Sequence, residues 1–171
     1  KENQTVAFVG HTGSGKSTIM NLIVKFYDVS KGTLEINGKN INEYSREYLR
    51  EKTAIVLQDS FLFDGTLLEN ITPNGNRRTA KEALEKVGGD FILKTRPLDS
   101  KVEIGGSNFS TGEKQLICLA RALAKNPKIL ILDESTANID SETEQSVGYA
   151  VEKLKQGRTT LIIAHRLSTI K

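Results

Sequence analysis

Little in this chain points toward a secreted or membrane-spanning protein. A single cysteine, Cys118, occurs in 171 residues, which excludes an internal disulfide and fits a reducing compartment. No apolar run approaches the roughly 18 residues that a bilayer-spanning helix needs. The N-terminus also lacks the charged, then apolar, then small-residue layout of a secretory signal, so the chain by itself is expected to be soluble. Neither charge sign dominates: 24 Lys and Arg against 21 Asp and Glu leave a net charge of +3, too balanced for a dedicated nucleic-acid binder. Repeats and low-complexity tracts are missing, and 26% charged residues is far from a disordered composition. What remains is one domain's worth of protein, long enough to bury a core.

Against these absences stands Gly10-His11-Thr12-Gly13-Ser14-Gly15-Lys16-Ser17, which fits the phosphate-cradling pattern G-x-x-x-x-G-K-[ST] with one extra glycine. It lies between an apolar run, Thr5 to Val9, and a helix-compatible run, Thr18 to Tyr27. A strand delivers the chain to a tight loop, glycines let backbone N–H groups point at anionic oxygens, and the following helix adds its positive end. The candidate nucleotide-binding residues are Gly10, Thr12, Gly13, Ser14, Gly15, Lys16, Ser17 and Thr18. Lys16 would reach the β- and γ-phosphates and the Ser17 hydroxyl would ligate Mg²⁺. His11 is read as a position that shapes the loop while its side chain points away. The pattern defines a nucleoside triphosphate site.

Strand and helix signals alternate along the rest. Gly32 to Ile36 alternates like a strand, and Asn37-Gly38 is a strong hairpin turn. Ser45 to Lys52 reads as a short polar helix leading into a buried-type strand, Thr53 to Leu57. From about Leu67 to Leu93 the signals turn helical, with Thr79 as a capping residue of a helix running to Val87. A long helix, Thr111 to Ala124, precedes Pro127, and apolar runs follow at Ile129–Leu132 and Thr160–Ala164. The expectation is an α/β fold with a mostly parallel sheet flanked by helices. One domain, 1–171, would have its core in 1–65 and 125–171 and a helical segment at about 66–124. Both ends read as cut from a longer polypeptide: the first strand begins at Thr5 and the last residues follow a strand directly.

Asp133 and Glu134 end the apolar run Ile129–Leu132, where ligands bind in open α/β sheets. An aspartate there can hold Mg²⁺ through water, and the adjacent glutamate can polarise an attacking water. Gln58, at another strand end, could contact the Mg²⁺ or that water, or simply be solvated. His165 is either a structural residue or a hydrogen-bond donor to the γ-phosphate.

Taken in order, Gly10–Ser17, Gln58, Phe109-Ser110-Thr111-Gly112-Glu113, Ile129–Glu134, Ser135–Asp140 and His165 resemble the ATPase domain of ATP-binding cassette (ABC) transporters. The resemblance covers nearly the whole chain, and Lys114–Leu123 looks like the family's signature helix. Gly65–Ile71 and Ala164–Ile170 look like its exporter branch. The resemblance implies a P-loop NTPase core with an ABC-type helical subdomain, using ATP and Mg²⁺ to drive export. By similarity Glu134 is the catalytic base, with Lys16 and His165 also catalytic, and Ser17, Gln58 and Asp133 serve the metal. Two such domains meet head to tail, so Ser110 and Gly112 would touch the γ-phosphate held by a partner, with Asp140 at the contact. The other implied partner is a membrane-spanning domain fused on the N-terminal side, with no nucleic acid, which puts the domain on the cytoplasmic face of a membrane.

The family's signature usually reads Leu-Ser-Gly-Gly-Gln. Here Thr111 adds a branched side chain and Glu113 a negative charge near phosphate, while Lys16, Ser17, Asp133, Glu134 and His165 are intact. That combination resembles one half of a heterodimeric exporter with one strong and one degenerate site. The family's adenine-stacking aromatic falls outside the chain. A soluble ABC-type ATPase acting on nucleic acid or ribosomes would share the core motifs. However, chromosome-maintenance relatives insert long coiled-coil arms, whereas fewer than about a hundred residues and no heptads lie between loop and signature here. A nucleotide kinase would have no use for the signature helix, and retention of Glu134 argues against a regulatory module without turnover.

Overall fold

The computed structural model describes residues 2–11, 13–57, 59–134 and 141–164. Four strands form one parallel sheet: β1 (Thr5–Val9), β4 (Thr53–Val56), β7 (Ile129–Glu134) and β8 (Thr159–Ala164), in the order β1-β8-β7-β4. The expected mostly parallel sheet is therefore present, with β8 and β7 central and β1 and β4 at its edges.

The apolar runs fill both faces, because successive strand side chains point to opposite sides. Leu130 and Leu132 of β7, with Ala54 and Val56 of β4 and Ile162 of β8, face one core. Ile131, Ile55, Leu161 and Ile163 face the other. The second core is covered by α1 (Lys16–Ile23), which contributes Met20 and Ile23, followed by Val24. The first is larger and is covered by α6 (Thr111–Ala124) and α7 (Ser141–Lys155). Val147, Ala150, Val151 and Leu154 of α7 recur at helical spacing and pack on that face. This helix was not foreseen from the sequence.

Between β4 and α6 the chain builds a helical layer of α3 (Leu67–Ile71), α4 (Arg77–Lys86) and α5 (Asp90–Thr95). Leu67, Ile71, Ala80, Leu84 and Ile92 join the same core as Leu116, Ile117 and Leu119 of α6. Thus α6 packs on the sheet with one part of its surface and on α3 and α4 with another. A two-residue ribbon, β5 (Gly65–Thr66) with β6 (Lys101–Val102), closes this layer.

Several boundaries differ from the sequence reading for local reasons. The hairpin is short, β2 (Glu35–Ile36) with β3 (Lys39–Asn40), and turns through Asn37 and Gly38 at φ 53° and 72°, the type I′ geometry expected of Asn-Gly. The polar helix α2 (Arg46–Lys52) forms where expected, with Ser45 Oγ accepting from the Tyr48 N–H. Helix α1 stops at Ile23 rather than Tyr27 because Lys25 turns left-handed, φ 57°. Its buried ammonium then donates to the carbonyls of Tyr44 (2.9 Å) and Ile41 (3.4 Å). Helix α4 begins two residues before Thr79. Its cap is Asn76, whose Oδ1 accepts from the Thr79 N–H at 3.0 Å.

Candidate functional site

The phosphate loop leaves β1 at Gly10 and returns through Gly13 and Gly15, whose φ of 85° and 89° only glycine adopts without strain. Gly10 is close to its neighbours in a different way: a β-carbon there would stand 2.8 Å from Ser14 Oγ, which would have to turn aside. The loop closes on Lys16, which is only 7% exposed. The Lys16 ammonium donates to the Gly10 carbonyl at 2.5 Å, the His11 carbonyl at 2.9 Å and Ser14 Oγ at 3.3 Å. The loop is thus wrapped around a buried positive charge.

Helix α1 starts directly from this loop. Gly15 offers no side-chain cap and the first turn holds no acidic residue, so neither the cap nor the first turn compensates the helix's positive end. Ser17 and Thr18 are exposed on that first turn. His11 is also exposed, and its carbonyl accepts from the Ser14 N–H at 3.2 Å, in keeping with a loop-shaping role.

Parallel register brings the carboxylates to the same edge. Val9 pairs with Ala164 and Ala164 with Glu134, while Phe8, Ile163 and Asp133 form the row beneath. With strands roughly 4.8 Å apart, β1 and β7 stand about 10 Å apart across β8. The exit to the phosphate loop and both acidic residues therefore share the carboxyl end of the sheet. Asp133 Oδ1 is shielded from solvent. Glu134 is placed by its backbone as the last residue of β7. Thr12, Gln58, His165 and the run Ser135–Asp140 lie outside the described residues.

The residues fit a triphosphate with a small hard cation. Among the described residues no cluster of three or more His, Cys, Asp or Glu could cage a metal. Mg²⁺ does not need one, since it binds through one or two protein groups, waters and substrate phosphates. Ser17 and Asp133 supply donors of the right kind.

Ser110 and Gly112 open α6, and Ser110's hydrogen bonds run to its own helix. Its Oγ accepts from the Glu113 N–H at 3.2 Å, and Glu113 Oε2 accepts from the Ser110 N–H at 2.8 Å. This is a reciprocal capping box. Glu113, read in the sequence as an added charge, is in the structure a cap, a role the Ser-x-x-Glu spacing already encodes. Arg96 holds the segment from behind. Its Nη2 donates to the Asn108 carbonyl at 2.6 Å, its guanidinium lies 4.3 Å from the Phe109 ring centroid, and its Nε is 3.9 Å from Glu113 Oε1. Sequence reading missed Arg96, because nothing in the spacing between residues 96 and 109 foretells this contact.

A groove of about 450 Å³ runs between β4 and α6, bordered by Leu57, Phe61, Phe63, Cys118, Arg121 and Lys125. Leu57, Phe61 and Phe63 are exposed, and the two phenyl rings meet edge-on at 5.3 Å. Burial pushes the Cys118 thiol upward, which keeps it protonated and unreactive near neutral pH.

Comparison with known proteins agrees with this geometry. The family model described as ABC transporter matches residues 1–137. The probable multidrug resistance ABC transporter ATP-binding/permease protein YheH of Bacillus subtilis (strain 168) is 52% identical over 100% of this chain and 26% of its own length. Multidrug resistance protein pgp-1 of Caenorhabditis elegans is 44% identical over 98% of this chain and 13% of its own. Among solved structures, a bacterial Atm1-family ABC exporter with ATP bound superposes with a TM-score of 0.87 at 38% identity, over 99% of this chain and 30% of that one. The chain thus spans less than a third of the length of these relatives. Among the described residues no helix is long and apolar enough to cross a membrane.

Proposed function

Because this chain belongs to the ABC transporter family, we propose that it is the ATP-binding domain of an exporter, in which hydrolysis of Mg²⁺-bound ATP drives a substrate across a membrane. The observation that carries this reading is the shared row at the carboxyl end of the sheet, where the phosphate loop's exit from β1 lies in register with Glu134.

The chain's own groups divide the work. The loop N–H groups and the start of α1 hold the phosphates, and Lys16 turns from the Gly10 and His11 carbonyls to the β- and γ-phosphate oxygens. Ser17 and Asp133, with Gln58, would hold Mg²⁺, which when bound would neutralise phosphate charge. Glu134 accepts a proton from the water that attacks the γ-phosphorus. The bond to the bridging oxygen breaks, and Lys16 stabilises the charge left on ADP. His165 donates to the γ-phosphate. Residues 1–65 and 125–171 act as the core and 66–124 as the helical subdomain.

The site is completed by a second ATP-binding domain whose signature segment meets the γ-phosphate. This chain's own Ser110 and Gly112 serve the partner's site in return. Thr111 and Glu113 make that second site the weaker one, since the Glu113 carboxylate already occupies the Ser110 N–H. The assembly is therefore a heterodimer, fused to membrane-spanning domains and working on the cytoplasmic face. The exposed groove by Phe61 and Phe63 supports a docking surface for the membrane domain.

Glu134→Gln in the full-length protein, reconstituted in lipid with its partner half, tests this. Steady-state ATP turnover should fall by at least about 100-fold while nucleotide binding persists. Turnover near wild type would remove the working base from this chain.

A further inference from the structure

Arg121 sits in the third turn of α6, and burial pushes its guanidinium below the usual arginine range. It remains a cation, yet among the described residues no carboxylate pairs with it. Its charge is met by carbonyl oxygens instead. Nε donates to the Asn70 carbonyl at 2.6 Å, Nη2 to Asn70 Oδ1 at 2.8 Å and Nη1 to the Phe61 carbonyl at 3.1 Å. The Phe63 ring lies beneath it, 5.2 Å from centroid to guanidinium.

Asn70, 2% exposed, relays this hold to the loop. Its Oδ1 also accepts from the Phe63 N–H at 2.9 Å, and its Nδ2 donates to the carbonyls of Phe63 (2.8 Å) and Thr66 (3.0 Å). All four bonding positions of the amide are used. A partly dry cation is tolerated only when its donors are satisfied, so the loop backbone is fixed wherever α6 carries Arg121.

The same loop is tied to the other end of the signature segment. The Leu62 carbonyl accepts from the Gly105 N–H at 2.9 Å, and the buried Leu62 side chain fills the space a β-carbon on Gly106 would take, 2.9 Å away. Gly106 lies four residues before Ser110. The loop is therefore attached both before the first turn of α6 and at its third.

We propose that Arg121, acting through Asn70, is a positioning residue that makes the loop Phe61–Phe63 and the signature helix a single moving body. Contact of Ser110 and Gly112 with a partner's nucleotide is thereby felt at the groove. The proposal rests on the ATP-driven reading for the identity of the stimulus, while the linkage itself stands on the hydrogen bonds above. A shared rigid element biased from two places is the physical requirement for such coupling.

Amide hydrogen exchange on the full-length protein with its partner half in lipid nanodiscs, with and without ATP plus vanadate, tests it. In wild type, nucleotide should slow exchange both at the start of α6 and at residues 61–64. In Arg121→Gln the α6 protection should remain, while the nucleotide-dependent change at 61–64 shrinks at least about threefold. Asn70→Asp should act alike. It keeps the side chain's size and its contact with Arg121, but sets carboxylate oxygens against the Phe63 and Thr66 carbonyls, and it decides the matter alone if Arg121→Gln does not fold. A loop that keeps its full nucleotide response in these variants, even with faster exchange overall, assigns the pair to stability alone and overturns the proposal. Wild-type protein with no nucleotide protection at the phosphate loop would instead overturn the ATP-driven reading, and the proposal with it.

Discussion

Gly106 and Gly38 have nearly the same backbone, φ 67° and 72°, but different surroundings. A β-carbon on Gly38 meets nothing within 4 Å, whereas one on Gly106 would stand 2.9 Å from Leu62 Cδ1 and from Lys114 Cδ. Gly38→Ala should therefore cost only left-handed strain, about 1 kcal/mol. Gly106→Ala adds overpacking against the fully buried Leu62 and should cost about 3 kcal/mol in all. Denaturant midpoints of the two variants, compared at equal slope, check the difference. Equal losses would mean that Leu62 yields freely and that its wedge holds nothing. Lys16 illustrates the same dependence on surroundings: the sequence names it, but only the structure shows its charge satisfied by loop carbonyls and a hydroxyl.

Among the elements, α4 offers the clearest test of a corrected boundary. Asn76 provides the capping oxygen, and Thr79 contributes only a main-chain N–H. Asn76→Ala should lose about 1 kcal/mol, while Thr79→Ala should be neutral or slightly favourable on helix propensity. Urea denaturation of both separates the assignments, and the reverse order would restore Thr79 as the cap. Where the sequence was legible, one strong local signal decided the matter. The apolar runs could only be buried strands, Asn37-Gly38 could only turn, and Thr111–Ala124 carried both its cap and its stripe. The phosphate loop was legible because its chemistry is local. The premature end of α1 was not, since Lys25 bends to reach carbonyls sixteen and nineteen residues away. The β5–β6 ribbon is two residues per strand, too short for any periodicity. Arg96 and Asn70 act through contacts that depend on the packed helical layer. Helix α7 did carry its spacing, but with small Ala150 among its core positions the signal is weak.

For the molecule as a whole, the two faces of the sheet are unequally insured. Among the described residues, one face continues into the helical layer through α6, while the other rests on α1 and a few side chains, and α1 begins at the uncapped phosphate loop. Nucleotide should therefore stabilise the thinner face. At a hundredfold excess over its Kd, Mg²⁺-ATP should add about 2.7 kcal/mol to the native state. Thermal unfolding of the full-length protein should show the corresponding rise in Tm, which Lys16→Ala should abolish. An unchanged rise in that variant would place the binding elsewhere.

Among the described residues, the order β1-β8-β7-β4 also leaves β1 paired with β8 on one side only, and Val6 and Val9 are 42% and 43% exposed on it. A strand so placed presents a row of main-chain donors and acceptors beside apolar side chains, the arrangement that templates another strand. In a polypeptide of these 171 residues alone, pairing along that edge should make self-association rise with concentration while the fold stays intact.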